Sequence, residues 1–204
     1  MSPVLNAPEH RLCVYCGSSA GRNPAYIKTA WQLGSHMAQE GIGLVYGGGS
    51  IGLMGEVARA VLAGGGHVIG IIPEFLVSKE RMLDGLNELI VTRSMHERKT
   101  LMFEKSTGFV ALPGGIGTLE ELAEITTWAQ LNQHAKPIIV ANVEGYWNHL
   151  IKLLDHMRAE AFIRAETEVF LDVAKNVDEI IPLYRERLER TPQKVPLAAI
   201  RQQL

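Results

Sequence analysis

The chain has 204 residues, 47% of them apolar and 21% charged, and a formal net charge of −2. That composition builds a globular core, and its near-neutral balance excludes the basic field that nucleic acid or an anionic membrane surface calls for. No apolar run approaches the roughly 20 residues of a membrane helix, so neither nucleic acid nor membrane is an expected partner.

The start MSPVLNAPEH is polar and contains proline; it predicts a loose tail over 1–10 and no secretory signal, hence a cytoplasmic protein. RLCVYC (11–16) reads as a strand. It carries the only two cysteines, Cys13 and Cys16. A C-x-x-C pair suits a redox couple or half a zinc site. Strand alternation sends these two to opposite faces, and no second pair exists, so buried reduced thiols are expected. PAYIKTAWQLGSHMAQE (24–40) has Tyr26, Ile27, Ala30, Leu33, Met37 and Ala38 near helical spacing. The strand IGLVYG (42–47) and the helix GLMGEVARAVLAGG (52–65) follow, the helix ended by glycines. HVIGIIP (67–73) and ELIVT (88–92) read as strands, and SMHERKTLMFEKS (94–106) as a helix. The pattern continues with strand GFVALPG (108–114), helix TLEELAEITTWAQLN (118–132), strand KPIIVAN (136–142) and helix GYWNHLIKLLDHMRAE (145–160). A short strand in EVFLDVA (168–174) and the helix NVDEIIPLYRERLER (176–190) close the series. The remainder, 191–204, contains Pro192 and Pro196 and is expected to be loose.

Repeated strand–helix alternation with apolar strands predicts an α/β fold: one Rossmann-like domain over 11–190, three-layered, with a parallel sheet and helices on both faces. Ligands in such sheets bind at the carboxyl ends of strands, near a topological switch point. Three turns at such ends are rich in small residues: CGSSAG, YGGGSIGLMG and LPGGIGT. Glycine admits close approach, and the helix that follows offers unpaired amides and the positive end of its dipole. A phosphate-bearing ligand is therefore expected. GGGSIG (47–52) matches G-x-G-x-x-G, but no acid stands about 20 residues on to hold a ribose, and the turn follows the second strand; a nicotinamide cofactor is disfavoured. There is no P-loop and no G-x-S-x-G elbow.

Two readings compete for Thr118-Leu119-Glu120-Glu121. One is a capping box, with Thr118 at the N-cap and Glu121 reaching back. The other is a functional carboxylate, which needs a partner. MHERK (95–99) supplies one, because Arg98 can grip an anion with its fork. Cations are disfavoured at a helix N-terminus, so Arg98 and Lys99 imply an anion nearby.

PGGIGTLEE (113–121) and MHERK (95–99), with CVYCGSSAG, LVYGGGSIGLMG, VIGIIPEFL and TTWAQL in order, resemble the LONELY GUY (LOG) family over roughly 11–187. The resemblance implies a cytokinin riboside 5′-monophosphate phosphoribohydrolase, which cleaves N6-modified AMP or AMP to free base and ribose 5-phosphate. It implies catalytic Arg98 and Glu121, and substrate contacts at Lys99, Gly114, Gly115, Gly117, Thr118 and Thr127. Glu80 falls where relatives carry a substrate-contacting glutamate, and Ser18 and Ser19 are further contacts. Ile116 stands where many relatives have tyrosine. The resemblance also implies a homodimer with sites near the interface. Met102, Phe103 and Trp128 are candidates for that interface or for ordinary core. The older label of lysine decarboxylase finds no support, since nothing marks a pyridoxal phosphate lysine. No cofactor is expected, and no metal, because the seven histidines form no H-x-x-x-H pair. Two rivals remain: a nucleotide or pterin-cofactor carrier without chemistry, and a nicotinamide-dependent oxidoreductase resting on GGGSIG.

Overall fold

The computed structural model describes residues 8–78, 81–163 and 171–190. Seven strands form one sheet: β1 (Arg11–Tyr15), β2 (Gly43–Tyr46), β3 (Val68–Pro73), β4 (Glu88–Thr92), β5 (Gly108–Ala111), β6 (Ile138–Ala141) and β7 (Asp172–Ala174). All pairings are parallel, in the order β4-β3-β2-β1-β5-β6-β7. The helices are α1 (Pro24–Gln39), α2 (Gly52–Ala63), α3 (Glu74–Val77), α4 (Met95–Glu104), α5 (Ile116–Gln130), α6 (Asn148–Ala159) and α7 (Ile180–Arg190). The expected alternation holds element by element. The four-residue α3 was not expected, because a single turn leaves no periodicity to read. The start expected for the last helix, at 176, is a 3-10 turn over Val177–Glu179.

Burial follows strand position. Strands β2, β3, β5 and β6 are buried at every residue, whereas β4, at the edge, alternates with Leu89 and Val91 exposed. Continuous apolar runs are what a sheet covered on both faces requires. The core accordingly divides in two. Leu12, Val14, Cys16, Leu44 and Tyr46 point to one face, against residues of α1, α2 and α7. Cys13, Tyr15, Val45, Phe109 and Val140 point to the other, against Met102, Phe103, Leu122 and Ile125 of α4 and α5. Cys13 and Cys16 are thus free thiols on opposite faces, and burial pushes both well above the ordinary thiol range. Met102 and Phe103 are core, not interface surface, and Trp128 packs edge-on against Phe103 at 5.3 Å.

Local chemistry sets the helix starts. Asn23 caps α1 by accepting from the Ala25 amide at 2.9 Å, with Pro24 in the first turn. At α4, Ser94 accepts from the Glu97 amide at 3.1 Å, and Glu97 reaches back to the Arg93 amide at 2.7 Å. A reciprocal cap therefore exists here, in S-M-H-E, and not at Thr118. Helix α5 begins at Ile116 with Gly115 as N-cap and no side-chain cap. That places Thr118 inside the first turn and frees Glu121 from the capping role.

Candidate active site

Sheet order reverses between β1 and β5, since β2, β3 and β4 extend to one side and β6 and β7 to the other. Chains leaving neighbouring strands at such a point diverge to opposite faces and leave a crevice. Pairing continues past the strands, with Leu112 donating to the Tyr15 carbonyl and Gly17 to the Pro113 carbonyl. The crevice holds a pocket of about 300 Å³, within the range of small-molecule sites. Its walls include Gly17 and Ser18 after β1, Gly47 and Met54 around the second turn, Arg98 of α4, and Gly115, Ile116, Gly117, Thr118 and Glu121 of α5.

Arg98 and Glu121 meet here. The guanidinium Nη1 lies 3.5 Å from Glu121 Oε1, with side chains only 10% and 12% exposed. Arg98 Nε donates to the Ile71 carbonyl at 3.1 Å, which fixes the fork from the β3 side. Its Nη2 would lie 2.5 Å from a Cβ on Gly47, so a side chain there would displace the guanidinium from this position. Burial raises the Glu121 carboxyl to about 7, against the opposing pull of Arg98. A carboxyl poised near neutral pH in a cleft suits acid–base chemistry.

Of the three glycine-rich turns, only one presents a free helix start to the pocket. The first amides of α2 are spent within the protein, because Leu53 and Met54 both donate to the Gly17 carbonyl at 3.1 and 3.4 Å. Helix α1 is capped by its own Asn23. The expectation of three anion-type turns therefore narrows to the start of α5. Within GGGSIG itself, the Ser50 amide donates to the Arg81 carbonyl at 2.8 Å. At α5, a Cβ on Gly115 or Gly117 meets nothing within 4 Å, and neither residue has a positive φ. Neither packing nor backbone conformation requires glycine at these two positions, and both leave the volume in front of the α5 start open.

The remaining expected residues divide. Ser18, Gly115, Gly117 and Thr118 line the pocket; Ser19, Lys99, Gly114 and Thr127 are not among its lining residues. Lys99 finds carboxylates where a phosphate was expected: Glu120 at 2.7 Å and Glu124 at 2.9 Å. Burial opposes its charge, but these two hydrogen-bonded partners hold its pKa above the usual lysine value. Thr127 is exposed and bonds back to the Ala123 carbonyl. Glu80 lies outside the described residues. Sequence reasoning gave no role to Gly47 as the seat of Arg98, to Met54 in the pocket wall, or to Tyr146, whose hydroxyl donates to the Gly114 carbonyl. The glycine run around Gly47 was visible, but its use depends on a residue 51 positions away in the sequence.

The fold and site together define a Rossmann-like α/β protein with a buried Arg–Glu pair and an open helix start at its switch point. A family model described as "Possible lysine decarboxylase" matches residues 54–183. "Cytokinin riboside 5'-monophosphate phosphoribohydrolase LOG7" of Arabidopsis thaliana is 46% identical over 171 residues, covering 84% of this chain and 79% of that protein. "Probable cytokinin riboside 5'-monophosphate phosphoribohydrolase LOGL9" of Oryza sativa subsp. japonica is 52% identical over 153 residues, covering 75% and 67%. Among solved structures, a molybdenum cofactor binding protein from the phototrophic bacterium Rippkaea orientalis superposes with a TM-score of 0.66 at 25% identity, covering 90% of this chain and 99% of that one. The Moco carrier protein of Chlamydomonas reinhardtii gives 0.68 at 24% identity, covering 89% and 99%; it supports the fold alone. The chain belongs to the LONELY GUY (LOG) family.

Proposed function

We propose that this protein is a nucleoside 5′-monophosphate phosphoribohydrolase. It cleaves the N-glycosidic bond of cytokinin riboside 5′-monophosphates, of AMP, or of both, releasing free base and ribose 5-phosphate. The observation that carries this reading is the buried Arg98–Glu121 pair in the switch-point pocket, in a chain closely similar to curated phosphoribohydrolases.

As the bond from the anomeric carbon to the base breaks, its electron pair leaves with the base and positive charge builds on the ribose. The ionised Glu121 carboxylate stabilises that charge. It also takes a proton from the water that attacks the anomeric carbon, by analogy with glycoside hydrolysis. The departing base collects a proton from solvent, so both products are complete. The 5′-phosphate sits at the start of α5, on the amides of Gly115, Gly117 and Thr118, with Ser18 opposite. Holding the phosphate fixes the ribose against Glu121. Arg98 orients Glu121 and faces the ribose oxygens. Lys99 contributes by tying α4 to α5. The reading extends to a cytoplasmic homodimer, supported by family resemblance.

The test is to incubate the protein with AMP and with N6-isopentenyl-AMP and to follow free base by chromatography. The wild type is expected to release base from at least one of them. Glu121→Gln is expected to release it about 100-fold to 1,000-fold more slowly, with an unchanged circular dichroism spectrum. No release by the wild type overturns the reading and favours a carrier, which needs no such pair. Undiminished turnover by the variant removes Glu121 from the chemistry.

A further inference from the structure

Tyr146 reaches the turn after β5 without lining the pocket. Its hydroxyl donates to the Gly114 carbonyl, 32 residues back in the chain. Its ring stands edge-on to Tyr26 at 5.4 Å and to Trp147 at 4.9 Å. The segment that delivers it is tightly specified. Asn142 accepts from the Trp147 amide through Oδ1 at 2.8 Å and donates through Nδ2 to Asn148 at 2.8 Å. Between them, Glu144 and Gly145 both have positive φ, 51° and 70°. A non-glycine residue in that region persists only where its surroundings hold it. This turn therefore fixes where the Tyr146 ring goes.

The peptide it grips joins Gly114 to Gly115, and Gly115 lines the pocket. In a trans peptide the carbonyl and the amide of one plane point in opposite directions. A carbonyl held toward Tyr146 sends the Gly115 N–H the other way. The preceding carbonyl, of Pro113, is likewise held, by the Gly17 amide at 3.0 Å. Two successive peptide planes are thus fixed by two different loops. Without such anchors a glycine pair would rotate freely.

We propose that Tyr146 is a positioning residue for the 5′-phosphate: its hydroxyl holds the Gly114–Gly115 peptide so that the Gly115 amide faces the pocket. This inference rests on the phosphoribohydrolase reading above. It assigns Tyr146 no contact with substrate, and it separates the hydroxyl from the ring, which serves packing.

Tyr146→Phe keeps the ring and removes the bond. Calorimetric titration with ribose 5-phosphate and, separately, with adenine reads the effect. A lost neutral hydrogen bond corresponds to a fall in affinity of about three- to ten-fold. That fall is expected for ribose 5-phosphate, with adenine affinity unchanged and the KM for AMP raised in step. Unchanged affinity for ribose 5-phosphate overturns the proposal. Equal weakening toward both ligands also overturns it, because that marks a general structural effect. The wild-type assay for base release is read independently, so failure of the enzymatic reading is distinguishable from failure of this one.

Discussion

In the turn after β2, the loop packs against the protein's own backbone and the first amides of α2 are used inside it. Gly52 has a φ of +63°, and a Cβ there would lie 2.4 Å from the Ser18 backbone. The amides that follow donate to Gly17, and Glu56 pairs with Arg59 one turn along its own helix at 2.7 Å. In the turn after β5, the corresponding features are left open. Gly115 and Gly117 face free space, the first turn of α5 has no side-chain cap, and Glu121 pairs across to Arg98 of another helix. Written out, GGSIGLMGEVA (48–58) and PGGIGTLEELA (113–123) echo each other weakly, with Gly49 on Gly114, Gly52 on Gly117 and Glu56 on Glu121. Glycine in the first turn lets two loops pack together; glycine in the second keeps a volume clear. A glycine that the protein's own atoms require is structural, and a glycine they do not require marks where something else comes close.

The contrast can be broken or sharpened by substitution. The largest effect is expected at the two matched glutamates. Glu121→Gln is expected to remove about 99% or more of base release, whereas Glu56→Gln leaves turnover within about twofold, because its partner is a neighbour on its own helix, outside the pocket lining. Parallel kinetics of the two variants decide this. Equal losses would erase the distinction between the turns.

Next comes Gly52→Ala. It combines a disfavoured φ with a clash against backbone, and is expected to cost about 3 kcal/mol or more of stability by denaturant titration. A cost under about 1 kcal/mol would mean the first turn has slack that the structure does not display.

The pH profile follows in size. Ionised Glu121 is the active form, and burial raises its pKa to about 7. The kcat/KM should therefore rise with pH, about tenfold per unit below 7, and level off above it. Stability runs the other way. The folded state holds the Glu121 proton more tightly than the unfolded chain, so its contribution is complete below the unfolded value near 4.5 and is lost as pH rises through about 7. Persistence of the activity limb in the residual turnover of Glu121→Gln would assign it to another group.

The smallest expected effect is the most discriminating. Gly117→Ala places a better helix former in the first turn of α5, at a position where a Cβ meets nothing. Stability is expected to rise by about 0.5 kcal/mol, while base release falls, because the added methyl enters the phosphate space. Thermal unfolding and kinetics on the same preparation test both halves. A variant that is more stable and fully active would remove the ligand from this turn.

Much of this was legible in the sequence. Strand–helix alternation is a strong periodic signal, and it gave the sheet, the two-sided core and the opposite-facing cysteines. The pairing of Arg98 with Glu121 was legible through two motifs taken together. The misreadings share a cause: a four-residue pattern does not say where a helix begins. T-L-E-E and S-M-H-E both satisfy the capping template, and only the second is a cap, because Gly115 lets α5 start two residues ahead of Thr118. The partners of Lys99, the seat of Arg98 on Gly47 and the bond from Tyr146 to Gly114 join residues 21 or more positions apart. Such contacts are products of the fold and leave no local signal.

The brace between α4 and α5 has a consequence for how the two charged motifs are spelled. Each contains a doubled charge, Arg98-Lys99 and Glu120-Glu121. A helix turns about 100° per residue, so one member of each doublet faces the pocket and the other faces outward. The outward members meet each other at 2.7 Å, and the inward members at 3.5 Å. The outer contact, with Glu124 as a second partner of Lys99 at 2.9 Å, links the two helices beside the pocket. The inner pair stands at the wider spacing. A guanidinium and a carboxylate locked together would have nothing left for a substrate; these two are kept near each other and still free to engage one.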